Sequence, residues 1–267
     1  MRERSQTFDP RQTMQKETFE IFHYRQPRPD PVEVHHHDFY EVYYLLGGEV
    51  EYWVDGRIFR MHAGDLLLIN PMELHRPILE DAGQIYERIV LWIDKAYLES
   101  LSSGGIRLSS CFDTTLPEHT HLIRPAPTEQ SALRAKLSEL VRESYSGEFG
   151  GDLSAWGLFL QFMVQLNRMA LRTKPQAEET EARSALVRKT LSYIGEHLAE
   201  PVTVEQIAGQ FYVSKYYLSH TFTREVGVSI YRYIMLRRLV MARQLLSAGE
   251  SAGQVCTTCG FPDSASF

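Results

Sequence analysis

The chain has 267 residues, 43% hydrophobic and 23% charged, and carries a formal net charge of −6. That length holds two domains with proper cores, and the composition is ordinary for a globular protein. It excludes a disulfide framework, for which three cysteines are too few, and a helical membrane span, since no apolar run approaches the ~18 residues one needs.

The amino terminus, Met1 to Pro10, has no apolar segment of the kind a signal peptide requires. Together with the few cysteines this points to the reducing cytoplasm. Charge is split unevenly: residues 1–179 hold 19 Lys/Arg against 27 Asp/Glu, and residues 180–267 hold 9 against 7. The mild positive balance of the carboxyl-terminal third is in the direction that attraction to phosphate requires.

Residues 18 to 120 read as short strands and turns. Glu41 to Leu46 is a strand ending at Gly47-Gly48, and Val50, Tyr52 and Val54 alternate along the next. Asp55-Gly56 is a type I′ hairpin signal returning through Arg57 to Met61. Gly64-Asp65 turns again, Leu66 to Ile69 forms a buried strand up to Asn70-Pro71, and Ile85 to Ile93 is another apolar strand. Many short strands with Gly and Pro turns predict a small β-barrel or jelly roll.

Within this region His35-His36-His37 precedes Glu41, and Gly64-Asp65 precedes Pro71, Glu73 and His75. Side chains two apart on a strand share a face, so His35 and His37 point inward with Glu41, unless a one-residue slip turns His36 inward instead. The pattern is similar to the cupin signature, in which two histidines, a glutamate and a later histidine converge on one metal. It departs at Glu73, where cupins often carry glycine, and in the spacing before His75. Two readings remain open: a metal held by His35, His37, Glu41 and His75, with imidazoles and carboxylate suiting Fe, Mn, Ni or Zn, or a metal-free polar pocket for a small organic effector, with no cofactor. The second is preferred, its lining being His35, His37, Glu41, Tyr43, Trp53 and His75. Carbohydrate is the favoured ligand class, because Tyr40, Tyr43, Tyr52 and Trp53 offer stacking surfaces beside polar groups.

Thr128 to Ser144 carries Leu133, Leu137, Leu140 and Val141 at helical spacing. Leu153 to Arg172 is apolar nearly all round (Trp156, Phe159, Leu160, Phe162, Met163, Leu166, Met169), so more than one face must be covered, either wholly within the chain or partly by a partner subunit. Thr173 to Glu181 is polar, acidic and Pro-containing, a linker. Ala182 to Ala199 is the next helix, with Leu186, Thr190, Tyr193, Ile194 and Leu198 inward and Pro201 ending it.

Thr203 with Gln206 makes a capping box, and Val204, Ile207 and Ala208 give the helix an apolar face. Phe211-Tyr212-Val213 turns, and Ser214 caps a second helix whose buried face is Tyr217, Leu218, Phe222 and Val226. Two short helices joined this tightly form the unit that lays its second helix in a DNA major groove. A long helix follows from Ser229 to Ser247, with Tyr233, Leu236, Leu239, Ala242, Leu245 and Leu246 on its apolar stripe. Ser251 to Phe267 then holds Val255, Cys256, Cys259 and the Gly260-Phe261 turn before Asp263. Cys256 and Cys259 lack a second pair for zinc and read as core thiols.

From Ala208 to Phe222, and again at Gly260-Phe261 and Asp263, the sequence resembles the AraC/XylS family of transcription regulators. The match covers the carboxyl-terminal third, with the second helix-turn-helix expected to be incomplete: Asp263 should cap its reading helix and Phe267 should be among its first buried residues. The expected class is α+β: a cupin-like barrel over 1–125, connecting and dimerisation helices over 126–172, a linker over 173–182 and an all-α helix-turn-helix domain over 183–267. By position in the family motif, Tyr216, Ser219 and His220 are expected base readers, with Lys215 and Arg224 on phosphates and Ser214 and Thr223 beside them. The resemblance implies a sequence-specific, effector-responsive regulator acting as a homodimer on double-stranded DNA, meeting RNA polymerase if it activates. No catalytic residue is assigned. The competing readings are a metal-dependent cupin enzyme and a shortened dimerisation partner that does not bind DNA.

Overall fold

The computed structural model describes residues 6–8, 11–27, 32–79, 85–116, 119–173 and 184–261. Its strands are β1 (Phe19–Gln26), β2 (Tyr40–Gly47), β3 (Val50–Val54), β4 (Arg57–Met61), β5 (Leu66–Ile69), β6 (His75–Ile78), β7 (Tyr86–Ile93) and β8 (Leu122–Ile123). A five-stranded sheet in the order β1-β7-β2-β5-β8 faces a three-stranded sheet, β4-β3-β6, and the strand pairs are antiparallel. The expected hairpin forms at Asp55-Gly56, where φ is 40° and 97°. Both values are positive, as a type I′ turn demands.

Alternation along each strand sorts the residues into three cores. Phe22, Tyr43, Leu45, Tyr52, Leu67 and Trp92 point between the sheets. Their neighbours Ile21, Val42, Tyr44, Leu66, Leu68 and Leu91 form the outer face of the five-stranded sheet. That face is covered by α2 (Pro127–Ser144) and α3 (Gly151–Ala170), whose Leu133, Leu137, Phe159, Phe162 and Leu166 complete the same cluster. One face of α3 is buried there; Leu153, Trp156 and Val164 on another remain exposed.

The outer face of the three-stranded sheet is covered differently. Helices α4 (Ala185–Glu196), α5 (Val204–Gln210), α6 (Lys215–Val226) and α7 (Ile230–Ser247) share one core with Val34, Trp53 and Leu74 of the barrel. Trp53 is 0% exposed, its ring 6.3 Å from that of Tyr233 on α7. Around this patch Arg232 pairs with Glu33 at 2.7 Å, Arg237 with Asp55 at 3.0 Å, and Arg243 with Asp38.

Several elements had weak sequence signals. β6 contains Pro77, which is tolerated because the strand lies at a sheet edge. Short α1 (Lys95–Ser100) is set by Asp94, whose side chain accepts from the Tyr97 amide. In the helical module, Thr203–Gln206 and Ser251–Gln254 both form capping boxes, the latter opening α8 (Ala252–Thr258).

The expected buried faces need two corrections. Tyr217 is 58% exposed, and Thr221 takes the inward place on α6. On α7 Leu239 and Leu246 are exposed, while Ile234, Val240 and Arg238 are buried. The guanidinium of Arg238 donates to the carbonyls of Leu198 and Glu200 just after α4, so the helix turns a charged residue inward. The three cysteines are free and buried, as core thiols should be. Most of the expected linker, with Ala182, and the positions of Asp263 and Phe267 lie outside the described residues. No helix among the described residues is long and apolar enough to cross a membrane.

Candidate functional site

Between the two sheets three imidazoles are held the same way. Nδ1 of His37 lies 2.9 Å from the carbonyl oxygen of Phe39, that of His75 2.8 Å from Glu73, and that of His35 2.8 Å from Glu33. A ring nitrogen facing a carbonyl carries a proton, and in a neutral imidazole this leaves Nε2 as the lone-pair nitrogen; Nε2 of His37 lies 3.3 Å from the Glu41 carboxylate. Burial pushes the His75 imidazole well below its ordinary value and lowers His35 too, so both favour this neutral form. The Nε2 atoms of His37 and His75 are buried without hydrogen-bond partners. One ligand atom each from His37, Glu41 and His75 lie within 4.8 Å of one another.

The backbone explains the convergence. His35 and His75 form an antiparallel bridge, each amide donating to the other's carbonyl at 3.2 and 2.9 Å. This fixes the register and leaves His36 outside the cluster. Glu41 enters from β2, where its carboxylate accepts from the Trp92 indole at 2.8 Å. Glu73, which departs from the cupin pattern, has its own task here. Its carboxylate accepts from the Asn70 amide and meets His121 Nε2 at 2.9 Å, while its carbonyl orients His75.

His35 and Glu41 line a cavity of about 50 Å³ shared with Tyr43, Tyr52, Arg88 and Trp92. His35, His37 and His75 stand together, with the His37 and His75 rings 6.3 and 4.3 Å from that of His35, and Glu41 and Tyr43 share the inward parity of β2. His35 and His37 precede that strand, so the His35–His75 bridge and not strand parity places them. Trp53 and Tyr40 do not join them. Trp53 alternates out of the barrel onto the helical module, and Tyr40 packs under the connecting helices against Phe112, 4.4 Å away. Arg88 escaped the sequence reading although its signal was present: a lone cation inside the apolar strand Tyr86–Ile93.

The second site is the outward side of α6. Ser214 caps it, its hydroxyl accepting from the Tyr217 amide at 3.2 Å. Lys215, Tyr216, His220, Thr223 and Arg224 are exposed and Ser219 is half-buried. Tyr216 is 78% exposed, so the barrel does not wall this helix in. Lys215 rests 3.1 Å from Glu205 and over the Tyr216 ring, and Arg224 is 3.4 Å from Glu225. Tyr212, in the turn, takes φ 55° and is fully exposed beside the same face.

Comparison with known proteins agrees with both halves. Residues 19–163 match the AraC-like ligand binding domain, and residues 207–267 match a helix-turn-helix domain. The chain belongs to the AraC-like family. It is a DNA-binding transcription regulator with a small-molecule binding barrel. Among its relatives is the HTH-type transcriptional activator RhaS of Salmonella arizonae, 26% identical over 87% of this chain and 81% of the relative. RhaS of Klebsiella pneumoniae is 24% identical over the same shares. Among solved structures, ToxT of Vibrio cholerae aligns over 94% of this chain and 91% of its own at 14% identity, with a TM-score of 0.39.

Proposed function

We propose that the regulator reads DNA with α6 and senses its effector in the barrel cavity, the two being coupled through β3 and β6. One observation carries this reading: these strands line the cavity with Tyr52 and Pro77, and Trp53 on β3 and Leu74 just before β6 join the core of the helical module on the other side. The Leu74 amide donates to Asp55 at 3.1 Å, and Asp55 accepts from Arg237 at 3.0 Å. A shift of β6 thus reaches α7 through Leu74 and Asp55. An effector moves this equilibrium only by binding one arrangement better than the other.

On DNA, Tyr216, Ser219 and His220 face base edges while Lys215 and Arg224 meet phosphates, with Ser214 and Thr223 beside them. The proposed domain limits are 1–125, 126–172, 173–182 and 183–267. The exposed stripe of Leu153, Trp156 and Val164 beside half-buried Leu160 on α3 supports a homodimer. Action in the cytoplasm, contact with RNA polymerase when activating, and the absence of catalysis follow from this regulator reading. The cupin resemblance also implies a metal. The Nε2 atoms of His37 and His75 and the Glu41 carboxylate fit one, while His35, the fourth ligand of the motif, stands outside that trio. Their Nδ1–carbonyl bonds are the usual support of metal-binding imidazoles. Such an ion would supply a Lewis-acidic anchor for an oxygen of the effector.

Gel shifts and footprints with variants test the DNA face. His220→Ala should cost about 1–3 kcal/mol on a specific site and relax its sequence preference. Lys215→Ala should weaken all sites alike and lower the salt slope by about one. If neither variant changes affinity or preference, α6 does not face the DNA as described.

A further inference from the structure

Arg88 lies in the middle of β7 and shares the inward parity of Tyr86, Val90 and Trp92. It is 5% exposed and lines the barrel cavity. Arginine is almost never this buried unless it is paired. Yet among the described residues no carboxylate forms an ion pair with it, and its Nη1 is buried without a hydrogen-bond partner. Its contacts are aromatic: the guanidinium sits 4.3 Å from the Tyr86 ring, 5.0 Å from Tyr24 and 5.3 Å from Phe8. Ring faces offset part of the charge, but they leave the forked N–H donors unused.

The other charges nearby are engaged. Arg11, also at the cavity, pairs with Glu20. Glu87, the neighbour of Arg88 on the opposite face, is 2.8 Å from His23 and 3.4 Å from Arg25. Glu41 is taken by Trp92 and lies 3.3 Å from His37. The cavity thus joins a cationic fork at Arg88 to an imidazole–carboxylate pole of His35 and Glu41, with the His37 and His75 rings next to His35. Tyr43 and Tyr52 also line it.

A planar anion is the complement of a free guanidinium, because two parallel N–H···O bonds match a carboxylate edge. A neutral polyol leaves the charge uncompensated. A doubly charged phosphate outweighs the single free cation and meets repulsion from Glu41. We propose that the effector is a small organic acid with one carboxylate, bound at Arg88, its remaining oxygens turned toward Tyr43, Tyr52 and the imidazole pole. The proposal rests on the reading of the barrel as the effector site, and it narrows the carbohydrate expectation to acids. The cavity of about 50 Å³ favours a compact one.

The test is thermal unfolding of the full chain with matched pairs at constant ionic strength. Sodium lactate, glycerate and glucuronate are compared with propane-1,2-diol, glycerol and glucose, with sodium phosphate as a separate arm. At least one acid should raise the melting temperature by several degrees where its neutral counterpart does not. In Arg88→Gln that shift should need at least tenfold more acid, and in Arg88→Lys severalfold more, since the fork is lost while the charge stays. Without ligand, Arg88→Gln should melt no lower than the parent, because an unpaired buried charge has been removed. If neutral partners stabilise equally, and Tyr52→Phe weakens them while Arg88→Gln does not, the barrel remains the effector site and the acid proposal is wrong. Stabilisation by phosphate alone, or an acid shift that survives both Arg88 variants, also overturns it. If Arg88→Gln fails to fold, the guanidinium is a structural member and the proposal falls, unless Arg88→Lys folds and shows the severalfold loss. No shift with any compound contradicts both the proposal and the effector-site reading.

Discussion

The two outer faces of the barrel are both covered by helices, but they are built from different chemistry. The five-stranded sheet meets α2 and α3 through a continuous apolar layer, and among the described residues no ion pair joins those helices to its strands. The three-stranded sheet meets the helix-turn-helix module through a smaller patch around Trp53, rimmed by the partly exposed pairs of Arg232, Arg237 and Arg243. An apolar layer cannot be rehydrated cheaply, whereas a rim of exposed ion pairs is worth little and weakens with salt. The first face is a permanent core. On the proposed coupling, the second is the face that would release.

The sharpest way to break this contrast is to cut one side chain from each face. Phe159→Ala in the permanent face should cost about 3–5 kcal/mol, measured by urea unfolding, and should destabilise barrel and connecting helices together. Trp53→Ala should cost about 3 kcal/mol, but the loss should fall on the docked module, seen as faster amide exchange in α7 with α3 unchanged. Equal exchange in both helices would show that the two faces are one cooperative unit.

A smaller effect sharpens the rim. Arg237→Ala should remove about 1 kcal/mol or less, because both partners are about one-third exposed. Its signature is a flatter dependence of module docking on salt, read from α7 exchange at two ionic strengths.

Acid provides the mildest test. Burial beside His121 pushes His119 down to about 4. The unfolded chain therefore binds a proton below pH ~6.5 that the folded chain refuses, so stability is lost as pH falls from about 6.5 towards 4. Partial exposure keeps the loss under the full ~1.4 kcal/mol per pH unit. His119→Gln should reduce the drop in melting temperature between pH 7.5 and 5.5 without altering docking at neutral pH.

The sequence was most legible where local chemistry decides. Asp55-Gly56 and the Thr203–Gln206 capping box need only their neighbours, and they stand where expected. Trp53 was misplaced because aromatic residues suit a pocket and a domain interface equally well, and only the opposing α7 distinguishes them. Tyr217 and Leu239 were misassigned for a related reason: helical spacing gives an apolar stripe, but which edge of it is covered depends on the neighbouring helices. Arg88 was passed over because a strand was read for its apolar residues, although the exception carried the chemistry. Glu73 looked like a defect in a motif until the folded chain gave it Asn70, His121 and His75 to hold.

Amide exchange across the full chain, taken at about 0.1 M and about 1 M salt, tests the division into permanent and releasable faces most directly, because screening shortens from ~10 Å to ~3 Å over that range. Exchange should rise together in β3, β6 and α7 at high salt, while α2, α3 and the sheet beneath them hold their protection. Unchanged protection of α7, or a parallel rise in α3, would contradict it.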